Sequence, residues 1–424
     1  MGTIGGSMKK KIILKGPVLT RSGYGEQARF ALRSLMSRQD LYDIYIQPLQ
    51  WGRTSWISEQ TEERLFIDSC IKKTVDYIQQ GGSFDMSLQV TIPNEFEKMA
   101  TVDIGYTAGI ETTVVSAEWL QKINEIVNSV IVVSSFSTHA FKNTTYSGEL
   151  NGQPATLKLD KPIDFVNYAV KDYDHVEPLN LNLKNDVNFL CVAQWGPRKN
   201  MDATLNWFVE EFHNEDVGLV IKTNITKNSI MDRTAIFERL KSQLSAKYPD
   251  MKCKIYLLHG DMSEEEMHAL YKDPKINACI SFAHGEGFGL PLFEAAYSGL
   301  PIVCTGWSGQ LDFLVDENKK ERFYNVSYDI RKVPEHVLWE NVVVADAMWS
   351  FPREQSAKQQ MRQCYNDIVS KNKMDATAYV SELKERFSKE KMYEKFVSLV
   401  EEQAPENLAA NNMDEIEKLF AEAL

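Results

Sequence analysis

Short apolar runs alternate with helix-length amphipathic stretches along most of the chain. KIILKG (11–16) reads as a strand and 24–38 as a helix; DIYIQPL (43–49) is a second strand, followed by a helix over 59–79. FDMSLQV (84–90), VDIGYT (102–107) and SVIVVS (129–134) continue the strand series, with helices over 116–127 and 135–142. The rhythm is lost over 142–187, which is marked by Gly, Pro, Asn and Asp, and YDHVEPLN reads there as a connector. It restarts with strands at 187–193, 218–223, 254–260, 276–282 and 301–306, and helices over 201–212, 231–247, 264–272 and 290–298. Such alternation predicts an α/β chain whose parallel sheets are covered on both faces. From about 353 the pattern is helical almost to the end, and Pro352 suits the first turn of that region.

These patterns predict a short leader over 1–8, before a second start at Met8, and a first βαβ domain over 9–172. A linker over 173–187, a second βαβ domain over 188–365 and a helical tail over 366–424 complete the chain. The length of 424 residues agrees, since two domains of roughly 150–200 residues are expected. No run of about 18 apolar residues occurs, so no membrane span is predicted. The net charge of −12 disfavours non-specific affinity for polyanions, although it leaves room for a local basic groove. Cys70, Cys191, Cys253, Cys279, Cys304 and Cys364 form no C-x-x-C, and three of them sit in apolar strand-like runs. A reduced, cytoplasmic protein without disulfides or a zinc site is the expectation.

The chemistry concentrates in SFAHGEGFGLPLFEAAYSGLPIVCTGWSG (281–309). A strand passes through a Gly-rich turn into a helix near Leu290, so free backbone N–H groups and the positive helix end face the turn. A diphosphate is the natural guest. Glu286 in the turn and Glu294 one helical turn further on can each accept two hydroxyl hydrogen bonds, as vicinal sugar hydroxyls require. In VAQWGPRKNMDATLNWF (192–208), Arg198 and Lys199 stand just before a helix. Cations at that end are unfavourable unless an anion joins them.

HGEGFGLPLFEAAYSGLPIV resembles the E-x7-E signature of retaining glycosyltransferases of the GT-B fold, in the large family 4. The resemblance spans most of residues 11–370 and is strongest at 276–309. It implies two Rossmann-like domains facing a cleft, with the tail crossing back to the first domain. It further implies that Glu294 binds the nucleotide ribose and Glu286 the donor sugar's hydroxyls. The backbone of Phe288, Gly289 and Leu290 would contact sugar and diphosphate, and Lys199 would meet the diphosphate. The family's usual Arg position is Gln194 here, and Arg198 can substitute from the neighbouring place. Gly23 and Gly25, in LKGPVLTRSGYGEQARFAL, match a Gly-rich loop that approaches donor or acceptor, and Asp261 and Met262 match a position bordering the base. In IGYTAGIETT, Glu111 is the candidate acceptor-side base or hydroxyl clamp; the family's nearby His is missing. Asp312 stands where relatives often have Glu and receives no role. Trp51, Trp56 and Trp119 are considered as sugar platforms, with packing the plainer explanation for each.

The implied reaction moves a hexose from a nucleotide sugar, with a UDP-sugar favoured, to a hydroxyl acceptor with retention of configuration. It needs neither metal nor further cofactor. The acceptor is a saccharide or, because TRSGYGEQAR and GYTAGIETT resemble phage-borne members of the family, a hydroxymethylated base in DNA. Arg21, Arg29, Arg33 and Arg53 would then line a basic groove. An epimerase and a non-catalytic sugar-binding protein are the other readings. Lys171-Asp172-Tyr173-Asp174 contains D-x-D, which in another glycosyltransferase fold binds a metal-chelated diphosphate. Its place in the connector, apart from the E-x7-E segment, assigns it to the linker.

Overall fold

The computed structural model describes residues 9–150, 152–173, 175–371 and 376–406. The expected leader and the last residues of the expected tail lie outside them. The first domain comprises β1 (Lys10–Gly16), α1 (Gly23–Met36), β2 (Tyr42–Pro48), α2 (Glu62–Gln79), β3 (Phe84–Val90) and β4 (Ala100–Thr107). Then come α3 (Ala117–Ile126), β5 (Ser129–Val132), α4 (Ser135–Asn143), β6 (Thr145–Leu150), β7 (Gln153–Lys158) and β8 (Ile163–Phe165). The second runs through β9 (Val187–Val192), α5 (Met201–Phe212), β10 (Val217–Lys222), α6 (Ile230–Lys247), β11 (Lys254–Leu258) and α7 (Glu264–Lys272). It continues with β12 (Ile276–Ser281), α8 (Leu290–Tyr297), β13 (Ile302–Thr305), α9 (Leu311–Leu314), β14 (Tyr324–Val326), β15 (Tyr328–Lys332) and β16 (Met348–Pro352). Helices α10 (Glu354–Val369), α11 (Ala376–Arg386) and α12 (Lys389–Glu401) close the described chain.

Each domain holds one parallel six-stranded sheet, ordered β2-β1-β3-β4-β5-β8 in the first and β11-β10-β9-β12-β13-β14 in the second. The central strands are apolar because helices cover both faces; Ile12, Leu14, Leu88, Ile104, Leu190 and Ile280 are fully buried. Strand order reverses between β1 and β3 in one sheet and between β9 and β12 in the other. Ligands of open α/β sheets bind beyond the strand carboxyl ends at such a reversal. Here the loops leaving those ends in both domains line one shared cleft of about 660 Å³.

The tail crosses back to the first domain, as the resemblance implies. Helix α12 lies on the first domain, where Phe396 meets Phe30 edge-on at 5.7 Å and Lys10 pairs with Glu401 at 2.8 Å. Phe387 bridges the domains: its ring meets Phe293 at 5.2 Å, and its carbonyl accepts the Val170 N–H at 2.8 Å. Pro352 departs from expectation. It ends β16, paired opposite Tyr328, and Arg353 occupies the position before α10. Asp312 acquires a task as well. Its carboxylate accepts the Ser135 N–H at 2.8 Å, the Ser135 hydroxyl and the Asn167 amide at 2.9 Å, so the second domain closes the start of a first-domain helix. All six cysteines are free and buried, and among the described residues no helix is long and apolar enough to cross a membrane.

Candidate active site

The second-domain wall is made by the loops that leave β9 and β12. After β9, Pro197–Lys199 form a single 3-10 turn that ends at Asn200 in the left-handed region, φ 52°. The Asn200 amide donates to the Phe282 carbonyl at 3.1 Å, and the His284 N–H donates to the Arg198 carbonyl at 2.8 Å. The two loops are therefore one hydrogen-bonded unit. Gly289 then turns the chain into α8 at φ 93°, a conformation that a side chain disfavours. Behind Glu286, the Ser308 hydroxyl accepts its N–H at 2.9 Å, and the Gly309 N–H donates to its carbonyl at 3.0 Å.

This framework brings the predicted residues together. Lys199 reaches Glu286 at 2.5 Å, and Arg198 reaches Glu286 at 3.2 Å and Glu111 of the other domain at 3.1 Å. Burial pushes the Glu286 carboxyl up, but Lys199 and Arg198 outweigh it and hold the group below its ordinary range. Burial also presses the Lys199 ammonium below its usual value, with Arg198 adding to the effect against the pull of Glu286. Two cations thus share the two carboxylates Glu286 and Glu111, just ahead of the N-terminus of α8.

Glu294 lines the cleft as well. Burial raises its carboxyl to about 7; Lys171 pulls the value down, while Glu26 and Glu264 push it up. Lys171 and Tyr173 line the cleft, against the expectation that their segment lies far from Glu294. Lys171 bonds Glu26 and Glu264, both at 2.7 Å, because the connector passes between α1 and the start of α7. The only trace of this in the sequence is a lysine directly after the strand-like FVNYAV. Asp172 pairs with Lys384 at 2.6 Å, and Asp174 lies outside the described residues.

Phe288, Gly289 and Leu290 line the cleft, with the Phe288 ring packed on Tyr168 at 5.3 Å. Asp261 and Met262 border it too and also join the domains: Asp261 accepts the Ser55 hydroxyl at 2.6 Å, and the Met262 carbonyl accepts from Arg21 at 3.0 Å. The two early glycines separate. Gly23 lines the cleft with open space where a Cβ would stand, whereas a Cβ on Gly25 would lie 2.0 Å from the Thr20 carbonyl oxygen. Gly25 is thus needed for the tight start of α1. Gln194 lines the cleft, and its amide donates to the Ile225 carbonyl at 2.8 Å. Tyr24, Trp51, Lys222 and Asn224 complete lining that sequence patterns did not single out as a group.

Residues 180–335 match the family model Glycosyl transferases group 1. The match contains Arg198, Lys199, Glu286 and Glu294, and therefore the whole second-domain wall. A serotype-specific mannosyltransferase, WbdA of Escherichia coli, is 30% identical over 133 residues, which is 31% of this chain and 15% of that relative's length. Among solved structures, a sucrose-phosphate synthase of Thermosynechococcus elongatus superposes with a TM-score of 0.60 at 12% identity, covering 93% of this chain and 99% of the other. The Anabaena protein HepE, solved with UDP and glucose, gives 0.53 at 11% identity over 92% and 99%. These likenesses establish a GT-B-like fold of two Rossmann-like domains for the chain as a whole.

Proposed function

We propose that the chain is a glycosyltransferase that moves a hexosyl group from a nucleoside diphosphate sugar, a UDP-sugar in the favoured case, to a hydroxyl acceptor with retention of configuration. The observation that carries this reading is the meeting of Arg198 and Lys199 with Glu286 at the N-terminus of α8, one helical turn from the recessed Glu294. A single extended ligand satisfies all of them. Glu294 takes the ribose hydroxyls, Lys199, Arg198 and the α8 N-terminus take the diphosphate, and Glu286 takes a donor-sugar hydroxyl. The match to group 1 glycosyl transferases and the UDP bound to HepE support this choice.

Charge develops on the departing diphosphate as the glycosidic bond breaks, and Lys199 and Arg198 are positioned to stabilise it. Glu111 reaches the same place from the first domain through Arg198 and is the candidate base or hydroxyl clamp for the acceptor. Asp261, Met262 and Asp312 hydrogen-bond the first domain and so hold the two domains together, an arrangement that would limit water in the cleft and favour transfer over hydrolysis. Arg198 and Lys199 would have no diphosphate to hold in a plain sugar-binding protein. The reduced cysteines suit a cytoplasmic setting.

A panel of nucleotide sugars incubated with saccharides and with hydroxymethylated DNA, read by mass spectrometry, tests this reading. Transfer, or slow donor hydrolysis without an acceptor, supports it; neither activity with any donor sinks it.

A further inference from the structure

We propose that the ring of Trp51, which packs on Tyr24 and lines the cleft from the first domain, is the platform on which a neutral saccharide ring of the acceptor stacks. The inference rests on the glycosyltransferase reading and names the acceptor class for the same cleft.

Trp51 stands in the loop after β2, which is held at both ends. The Leu49 N–H donates to the Gly16 carbonyl at 2.9 Å, the Ile57 N–H to the Leu19 carbonyl at 2.8 Å, and the Arg21 N–H to the Ser55 carbonyl at 3.0 Å. The next residue, Gly52, turns the chain at φ 69°. The Trp51 ring packs on Tyr24 with centroids 4.8 Å apart and the planes tilted by 56°. Tyr24 is itself fixed: its hydroxyl and that of Thr107 lie 2.9 Å apart, and it accepts the Ala108 N–H at 3.3 Å. Burial lifts the Tyr24 phenol well above its usual range, so the support remains uncharged.

The platform is close to the chemistry. Ala108 lies beside Gly287 of the second-domain loop, and Glu111 follows three residues later with its carboxylate on Arg198. Trp51 is half-buried, packs against the first-domain core and also lines the cleft, and Gly23, which lines the same cleft, leaves open space where a Cβ would stand. A large aromatic surface kept at a cleft wall offers apolar area to the C–H face of a pyranose, while neighbouring carboxylates accept its hydroxyls.

Charge decides against a nucleic-acid acceptor. Arg29 is buried and donates to the Val18 and Thr20 carbonyls, Arg33 is bound by Glu26 and Glu63, and Arg21 by Glu59 and the Met262 carbonyl. Three of the four arginines expected to line a DNA groove are therefore occupied within the protein, and the chain carries a net charge of −12. A polyanion gains little here.

The test uses the full chain with its active donor, a panel of methyl pyranosides and linear disaccharides, and a duplex carrying hydroxymethylated cytosine. Trp51→Ala is expected to raise the acceptor KM about tenfold while the donor KM moves less than twofold, and Trp51→Tyr to recover most of the loss. An unchanged acceptor KM in Trp51→Ala overturns the proposal. So does transfer to the duplex with none to any saccharide, or donor hydrolysis with no saccharide accepted. If the wild-type chain neither transfers nor hydrolyses any donor, the glycosyltransferase reading itself has failed, which is a separate result.

Discussion

The two walls of the cleft are built in different ways. The second-domain wall comes from the loops 193–200 and 282–290, which are joined by hydrogen bonds, backed by 306–310, and carry Arg198, Lys199 and Glu286 within a few residues of their glycines. The first-domain wall draws Tyr24, Trp51 and Glu111 from three separate strand–helix connections and holds them by ring packing and single hydrogen bonds. A site whose geometry is carried by the main chain tolerates little sequence change. One assembled from side chains on separate loops can vary with its ligand. The family-model match falls on residues 180–335 and so covers the main-chain-built wall, whereas Tyr24, Trp51 and Glu111 lie outside it.

Substitutions on the two walls should separate accordingly. The largest effect is expected from Lys199→Ala: if the half-buried Lys199 stabilises the leaving diphosphate as proposed, its loss should lower kcat by about 10²–10³. A loss confined to acceptor KM would contradict the assignment of Lys199 to the donor wall. Glu294→Ala should follow. Losing two hydroxyl contacts to a charged group should weaken donor binding by about 10- to 100-fold with little change in acceptor KM; calorimetric titration with UDP-glucose and the other nucleotide sugars measures it. Unchanged donor affinity would show that the ribose lies elsewhere.

Asp312→Ala probes what joins the walls. Removal of the acceptor for Ser135 and Asn167 should widen the cleft and lower kcat/KM about five- to tenfold, with donor hydrolysis gaining relative to transfer. Small-angle scattering should show the more open form, and an unaltered transfer-to-hydrolysis ratio would deny Asp312 this part. The smallest effect is one of pH. The Glu294 carboxyl is raised to about 7 in the folded chain, so between its unfolded value and 7 the folded state binds more protons than the unfolded state. The group therefore costs stability as pH rises through that window, and the cost is complete above 7. Glu294→Gln should raise stability at pH 8 by about 1–2 kcal/mol and leave it nearly unchanged at pH 4. Thermal melts across that range check the sign.

Sequence patterns placed five of the six strands in each parallel sheet and missed the three-residue edge strands β8 and β14. FDMSLQV matches β3 residue for residue, and the second-domain strands differ by a residue or two at their ends. Fully buried strands read as unbroken apolar runs, which is a strong local signal. The antiparallel additions were invisible for the converse reason. Strands β6 and β7 pair with each other, and β7 alternates between exposed and half-buried residues; β15 is polar outside its pairing with β16. The connector was misjudged because the importance of Lys171 comes from α1 and α7, which lie far from it in sequence.

Glu286 and Glu294 were legible because both carboxylates and the glycines that aim them lie within a single strand–turn–helix unit. Backbone geometry of such a unit is local, so its chemistry is written in consecutive residues. Tertiary structure alone decided that Glu111 joins Arg198 across the cleft, that Asp312 closes a helix of the other domain, and that Trp51 rests on Tyr24. Those contacts exist only once two separately folded sheets have turned their strand ends toward each other. Nothing in the spacing of residues along one chain encodes the distance between two domains.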